Sequence, residues 1–242
     1  MMRKMGSGRS TISQSTDADE EETGIRVDNF AVHLQFLEEY FRVILSGIDA
    51  QALEYLNNLV VEVYARKGIN FGSDFSRLNP EDYPIFDDLY SLIKEKLVEA
   101  KVDYDVVNLR ILSNFVSKFA SGGRDSNLWN GPSTLTVKEN FTVFNFQSLL
   151  ANKNGVIANA QMLLVLKWLD NEIIKNREFN IKYGTNRKIV VAIDEAHVFI
   201  DPKFPVALDF MYQLAKRIRK YNGMQIAITQ NIKDFVGTAD II

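Results

Sequence analysis

Between Val27 and Phe119 the apolar residues recur every three to four positions, the spacing of helices that bury one face. Phe30, Leu34, Leu37, Phe41, Ile44 and Leu45 make the first stripe, with Asp28 placed as its N-cap. Ser46-Gly47 breaks the pattern. Asp49 then stands ready to cap a second helix carrying Leu53, Leu56, Val60, Val63 and Tyr64, which Gly68 ends. After a loop through Asn79-Pro80 and Tyr83-Pro84, Asp87 or Asp88 opens a third helix through Leu89, Leu92, Ile93 and Leu97. Residues 105–120 complete a fourth, with Leu109, Leu112, Phe115, Val116 and Phe119 along it.

Past the loop-like residues 121–136, where Ser121-Gly-Gly123 and Asn130-Gly-Pro132 punctuate the chain, the period changes. Phe141-Thr-Val-Phe-Asn-Phe146 is aromatic and β-branched, as a strand would be. A long amphipathic helix over 155–176 runs through Ile157, Met162, Leu163, Leu166 and Leu169 toward Lys175 and Arg177. Ile189-Val-Val-Ala-Ile193 follows with no polar alternation, the pattern of a strand buried on both faces. A helix from about Pro205 to Tyr221 ends at Asn222-Gly223. Met224–Thr229 then reads as a second buried strand, tipped by Gln230. The second half is thus β-α-β-α-β, the alternation that builds a parallel sheet through crossovers. Three segments result: a polar, acidic residue 1–24 stretch too poor in apolar residues to order itself, an all-helical 25–136, and an α/β 137–242.

Composition constrains the picture mainly by what it omits. An apolar content of 46% is ample for packed cores, and a net charge of −3 gives no global pull toward nucleic acid. With no cysteine and only His33 and His197, neither a disulfide framework nor a zinc site is expected. Met1–Arg9 is basic without an apolar core behind it, so no signal peptide is expected, and no apolar run nears the roughly 20 residues of a membrane helix. A soluble protein that docks on a membrane assembly fits these limits.

The chemistry gathers near the end of the chain. Asp194 and Glu195 stand together where the first apolar strand stops, and open α/β sheets bind ligands at the C-terminal ends of their strands. Such a pair fits the acidic end of a P-loop ATPase strand, with Asp194 holding Mg²⁺ through water and Glu195 orienting the attacking water. It equally fits a core strand ending in a solvated loop. Lys216-Arg-Ile-Arg-Lys220 is either a cation source for phosphoryl transfer or a solvated helix end that complements the dipole. Thr229-Gln230 ends the next strand, so Gln230 would share a crevice with Glu195; alone it reads as a turn residue. His197 reads as a packing or loop residue, and Trp129 as an anchor of its loop on the sheet.

Three stretches in order, Ala192-Ile-Asp-Glu-Ala-His197, Lys216-Arg-Ile-Arg-Lys-Tyr-Asn-Gly223 and Ile228-Thr-Gln-Asn-Ile-Lys-Asp-Phe235, resemble the motor domain of the VirB-type (TraE/TrsE-like) ATPases of conjugative transfer and type IV secretion, relatives of the HerA/FtsK P-loop NTPases. Asp87-Asp-Leu-Tyr90 and Leu128-Trp-Asn-Gly131 are similar to the Gram-positive branch. The resemblance spans roughly residues 25–238. It implies a RecA-like parallel sheet interrupted by an all-helical subdomain, with ATP and Mg²⁺ as cofactors. By the same resemblance Asp194 and Glu195 are the Walker B pair, Thr229-Gln230 lie at the nucleotide with Gln230 as γ-phosphate sensor, and Arg219 is a finger acting on a neighbouring subunit, with Arg217 second in line. It further implies a hexamer at the inner, cytoplasmic face of the bacterial membrane, with channel components as partners.

One element of that family is not met. A P-loop wraps phosphates in backbone N–H groups and needs Gly-x-x-x-x-Gly-Lys-Ser/Thr. In Arg3–Thr11, Arg9 takes the place of the lysine and Arg3 that of the first glycine, with no apolar strand before it. The expectation is an internal piece of a longer ATPase that binds ATP weakly by itself. Three functions compete: a motor fragment energising conjugative transfer or secretion, a HerA/FtsK-type DNA-translocating motor in which the 216–220 cluster contacts DNA, and an inactive interaction module.

Overall fold

The computed structural model describes residues 29–135, 140–151, 155–199 and 205–230. It is mostly helical with a small parallel sheet, and the chain forms two compact units that divide between residues 138 and 139. Residues 1–28, and with them Asp28 and Arg3–Thr11, lie outside the described residues.

The first unit is built from four helices, α1 (Asn29–Ile44), α2 (Ala50–Arg66), α3 (Phe86–Glu99) and α4 (Asp103–Val116), followed by the single turn α5 (Ser126–Trp129). Asp49 caps α2, its Oδ1 accepting the Ala52 N–H at 2.8 Å. Gly68 closes α2 at φ +79°, a conformation in which any Cβ is strained, while the Ile69 N–H returns to the Tyr64 carbonyl at 3.0 Å. Neither Asp87 nor Asp88 is the N-cap of α3. That place is Ile85, and Asp88 reaches back one turn to accept its N–H at 2.9 Å. The stripes read from the sequence supply the core: Phe30, Phe41 and Ile44 from α1, Leu53, Leu56 and Val63 from α2, Leu92 and Ile93 from α3, Leu109 and Leu112 from α4. Leu34 and Leu37 are only half-buried and line a shallow groove with Val60 and Val61. Trp129, expected to anchor its loop on the sheet, packs within its own unit. Its ring packs on Tyr40 and Phe119 at 5.8 and 5.4 Å, inside the helical unit.

The second unit holds α6 (Gln147–Ala151), α7 (Gly155–Tyr183), β1 (Ile189–Ile193), α8 (Pro205–Arg217) and β2 (Gly223–Ala227). The two strands pair in parallel, Ile189 with Gly223 through Ile193 with Ala227. Residues 141–146 are not a third strand. They run without a ladder, Phe144 resting on Trp168 and Phe146 on Phe199 at 5.3 and 6.0 Å. The β-like alternation survives as side chains that grip the core while the backbone joins no sheet. Nor are the strands buried on both faces. Val191 and Ile193 sink into a cluster with Ile173, Met211, Leu214, Ile218 and Tyr221, whereas Val190, Met224, Ile226 and Ile228 are 55%, 51%, 39% and 49% exposed.

Helix α7 runs two turns past the expected end because its buried face changes chemistry and not direction. Beyond Ile173 the inward positions are Asn176 and Asn180. Both side-chain amides donate to the Arg187 carbonyl, at 3.2 and 2.9 Å, and the Asn180 Oδ1 accepts from the Arg187 N–H at 2.8 Å. These bonds pin the lead-in to β1 against the helix. At the other strand, a 3₁₀ turn (Ile218–Tyr221) and Asn222 at φ +57° feed β2, and a Cβ on Gly223 would meet Ile218 Cγ1 at 2.4 Å, so only glycine fits.

Candidate functional site

The pairing of β1 and β2 continues beyond the strands and brings their ends together. Ile228 N–H donates to the Ile193 carbonyl at 2.9 Å, and Ala196 N–H donates to the Ile228 carbonyl at 2.8 Å. Asp194-Glu195 therefore lies beside Thr229-Gln230. Between them the chain turns sharply: Glu195 takes the left-handed conformation, φ +48° and ψ +44°, at the head of the 3₁₀ turn Ala196–Val198. A non-glycine residue held there carries backbone strain of about 1–2 kcal/mol. Ala196, fully buried, and Phe199, packed in the core, hold the turn in place.

This geometry sets the Glu195 carboxylate over the sheet edge. Gln230 Nε2 donates to Glu195 Oε1 at 2.7 Å, and His197 Nδ1 lies 3.2 Å from Oε2. Asp194 is exposed, with its Oδ1 accepting the Glu195 N–H at 2.9 Å, and Thr229 is half-buried between its neighbours. The carboxylate–carboxamide pair expected from two parallel strand ends is thus present as a direct contact. His197 reads in the sequence as a packing or loop residue, and its approach to Glu195 is not foreseen there. Its place two residues after Glu195 matters only because the left-handed turn folds the ring back over the carboxylate, and sequence spacing does not reveal that turn.

The basic cluster lies elsewhere. Arg217 donates to the Asp170 Oδ1 of α7 at 2.5 Å, in an ion pair whose side chains are 20% and 8% exposed. Lys216 sits 3.8 Å from the Tyr212 ring centroid. Arg219 and Lys220 are exposed on the 3₁₀ turn that enters β2, at the N-terminal edge of the sheet. Five residues of strand separate that edge from Glu195, about 16 Å at the usual rise per residue. Arg219 and Glu195 of one chain are therefore at opposite edges.

The two motifs of the helical unit, 43 residues apart, meet in a clasp. Asp87 Oδ1 and Oδ2 accept from the Ser121 N–H and Oγ at 2.6 and 2.5 Å, and the Asp87 N–H donates to Asn130 Oδ1 at 3.1 Å. Hydrogen bonds from the Ser121 side chain and backbone and from Asn130 hold the Asp87 carboxyl below its ordinary range. Asp87 and Asn130 tie the 121–130 loop to the start of α3, which accounts for both motifs structurally.

Fold and site define a class: an α/β unit with paired acids at the C-terminal end of a parallel strand, joined in sequence to an all-helical unit. No family model matches the chain, and no curated protein matches it by sequence. Among solved structures, VirB4 of Thermoanaerobacter pseudethanolicus is similar, with a TM-score of 0.67 and 30% identity over 86% of this chain and 52% of that one. The chain thus spans about half the length of the VirB4 chain it matches. It is VirB4-like in fold, and the matched span, 30% identical, includes residues of both units.

Proposed function

We propose that this chain carries the water-activating half of an ATPase site of the type IV secretion, VirB4 type, on a partial RecA-like core. The observation that supports this most directly is the 2.7 Å contact between Gln230 and Glu195 across neighbouring parallel strand ends. In this reading Glu195 holds and polarises the attacking water. Gln230, bonded to it, senses the γ-phosphate with Thr229 beside it.

The donor set fits the metal side of such a site. Among the described residues no group of three or more His, Cys, Asp or Glu could hold a metal by itself. Mg²⁺ needs no such group, since it keeps most of its waters and takes one carboxylate together with nucleotide phosphates. Asp194, exposed at the strand end, is the residue that would hold it through water. When bound, Mg²⁺ supplies charge neutralisation at the phosphates.

The position of Arg219 at the far edge of the sheet suits action on a neighbouring subunit's nucleotide, in a ring such as a hexamer. Arg217, engaged with Asp170, is better suited to fixing the turn that presents Arg219. No helix among the described residues is long and apolar enough to cross a membrane. Work at the cytoplasmic face of a secretion channel, energising conjugative transfer, follows from the VirB4 likeness alone. The test is E195Q in the ATP-hydrolysing assembly: turnover is lost while nucleotide binding persists, and unchanged turnover refutes the reading.

A further inference from the structure

We propose that His197 is a positioning residue that, with Gln230, fixes the orientation of the Glu195 carboxylate; its importance for hydrolysis rests on the function proposed above. The two oxygens of Glu195 face different partners: Oε1 accepts from Gln230 Nε2 at 2.7 Å, and Oε2 lies 3.2 Å from His197 Nδ1. One contact alone leaves a carboxylate free to rotate about it; two define its plane. The third oxygen-directed donor within the turn is already spent, because the Glu195 N–H bonds Asp194 Oδ1.

The surroundings explain why the ring takes this place. Ala196 is fully buried and its N–H is bonded to Ile228, while the Val198 and Phe199 N–H groups close the turn on Glu195 and Ala196. The backbone of His197 is thereby fixed, and its exposed side chain has open solvent available. It instead lies against Glu195, with the two side chains 44% and 45% exposed. An exposed pair of this kind contributes little to stability. Its effect is on orientation, at a residue whose backbone is strained and whose carboxylate meets the neighbouring strand.

For Nδ1 to face a carboxylate oxygen it must carry a proton, since two lone pairs would otherwise oppose each other. Neutral free histidine favours the proton on Nε2, so the contact leaves a spectroscopic mark. The experiment is ¹⁵N NMR of the 242-residue chain without nucleotide. The expected result is a protonated Nδ1 at His197 that reverts to the Nε2–H form in E195A. H197A should speed solvent exchange of the Gln230 side-chain amide about two- to fivefold, as loss of one exposed polar contact would. H197N, whose amide nitrogen sits where Nδ1 does, should restore slow exchange, and H197Q, one methylene longer, should not. An Nε2–H tautomer in the unsubstituted chain, or a Gln230 exchange rate indifferent to H197A, overturns the proposal. These measurements use no ATP, so a failure here is distinct from retained turnover in E195Q, which would sink the hydrolysis reading alone.

Discussion

In the helical unit the apolar faces of α1 to α4 meet one another, and its polar side chains are spent on caps and clasps. In the α/β unit the two-stranded sheet is covered on one face, and its polar side chains converge on the strand ends. The charge differs as well. Residues 139–242 carry thirteen Lys and Arg against ten Asp and Glu, net +3, while residues 1–138 carry fifteen against twenty-one, net −6. Hydrogen bonds follow the same division. Asp49 and Asp88 bond backbone groups three residues away, and Asp87 is spent on Ser121, 34 residues on, in the clasp. Glu195 bonds a side chain 35 residues away, at the end of a different strand, and is left half-exposed. A carboxylate spent on a cap cannot serve a substrate. One held by a neighbouring side chain at a sheet edge, with its approach open, can.

Substitutions in the two units should therefore fail differently. The largest effect belongs to Glu195: under the proposed function, E195Q in the ATP-hydrolysing assembly should lower turnover by about 10²–10⁴-fold, the range for a positioned acid–base group, with the thermal midpoint of the chain nearly unchanged. A large loss of stability instead would mean the strand end is structural and erase the contrast. Next is Arg217. R217A strands Asp170 in the α7–α8 contact, and denaturant unfolding should show a loss of about 3–4 kcal/mol. Replacing both by apolar residues of similar size should recover most of it, since the cost lies in the uncompensated carboxylate. In the helical core, L56A should cost about 3 kcal/mol through the cavity it leaves, with no bearing on the Gln230–Glu195 contact by NMR.

The smallest effect is at the clasp. D87N loses acceptors for Ser121 and should cost about 1 kcal/mol, given the partial exposure of the site. Its pH dependence has a fixed sign. Because the folded-state value of Asp87 is depressed, its contribution is fully present above the unfolded value near 4 and is lost as pH falls through the folded value. The stability gap between the native chain and D87N should therefore narrow below about pH 4 and stay constant above it. A gap that widened on acidification would show that the carboxylate is not the acceptor in the clasp.

The helical unit was the more legible of the two because its information is local. A stripe such as Leu53, Leu56, Val60, Val63 has one face to bury, and Asp49 and Gly68 mark its ends through their own backbone chemistry. Departures there were the start of α3, the end of α4 at Val116 in place of residue 120, and Trp129, whose ring found partners in Tyr40 and Phe119. In the α/β unit periodicity erred where tertiary contacts replace apolar burial. Asn176 and Asn180 extended α7 by bonding the Arg187 backbone, and Phe144 and Phe146 found core partners without a strand to pair with.

The sequence by itself determined the helical stripes of the first half, the two apolar strands, and the acids and carboxamide that follow them. Periodicity and residue type suffice for these because each depends on neighbours along the chain. Only the tertiary structure decided what those residues touch. The parallel register puts Gln230 against Glu195, the left-handed turn folds His197 back onto the same carboxylate, and the Asp170–Arg217 pair withdraws one arginine from the cluster while Arg219 stays exposed at the far edge. These pairings join residues from separate elements or depend on one backbone angle, and no spacing along the chain encodes either.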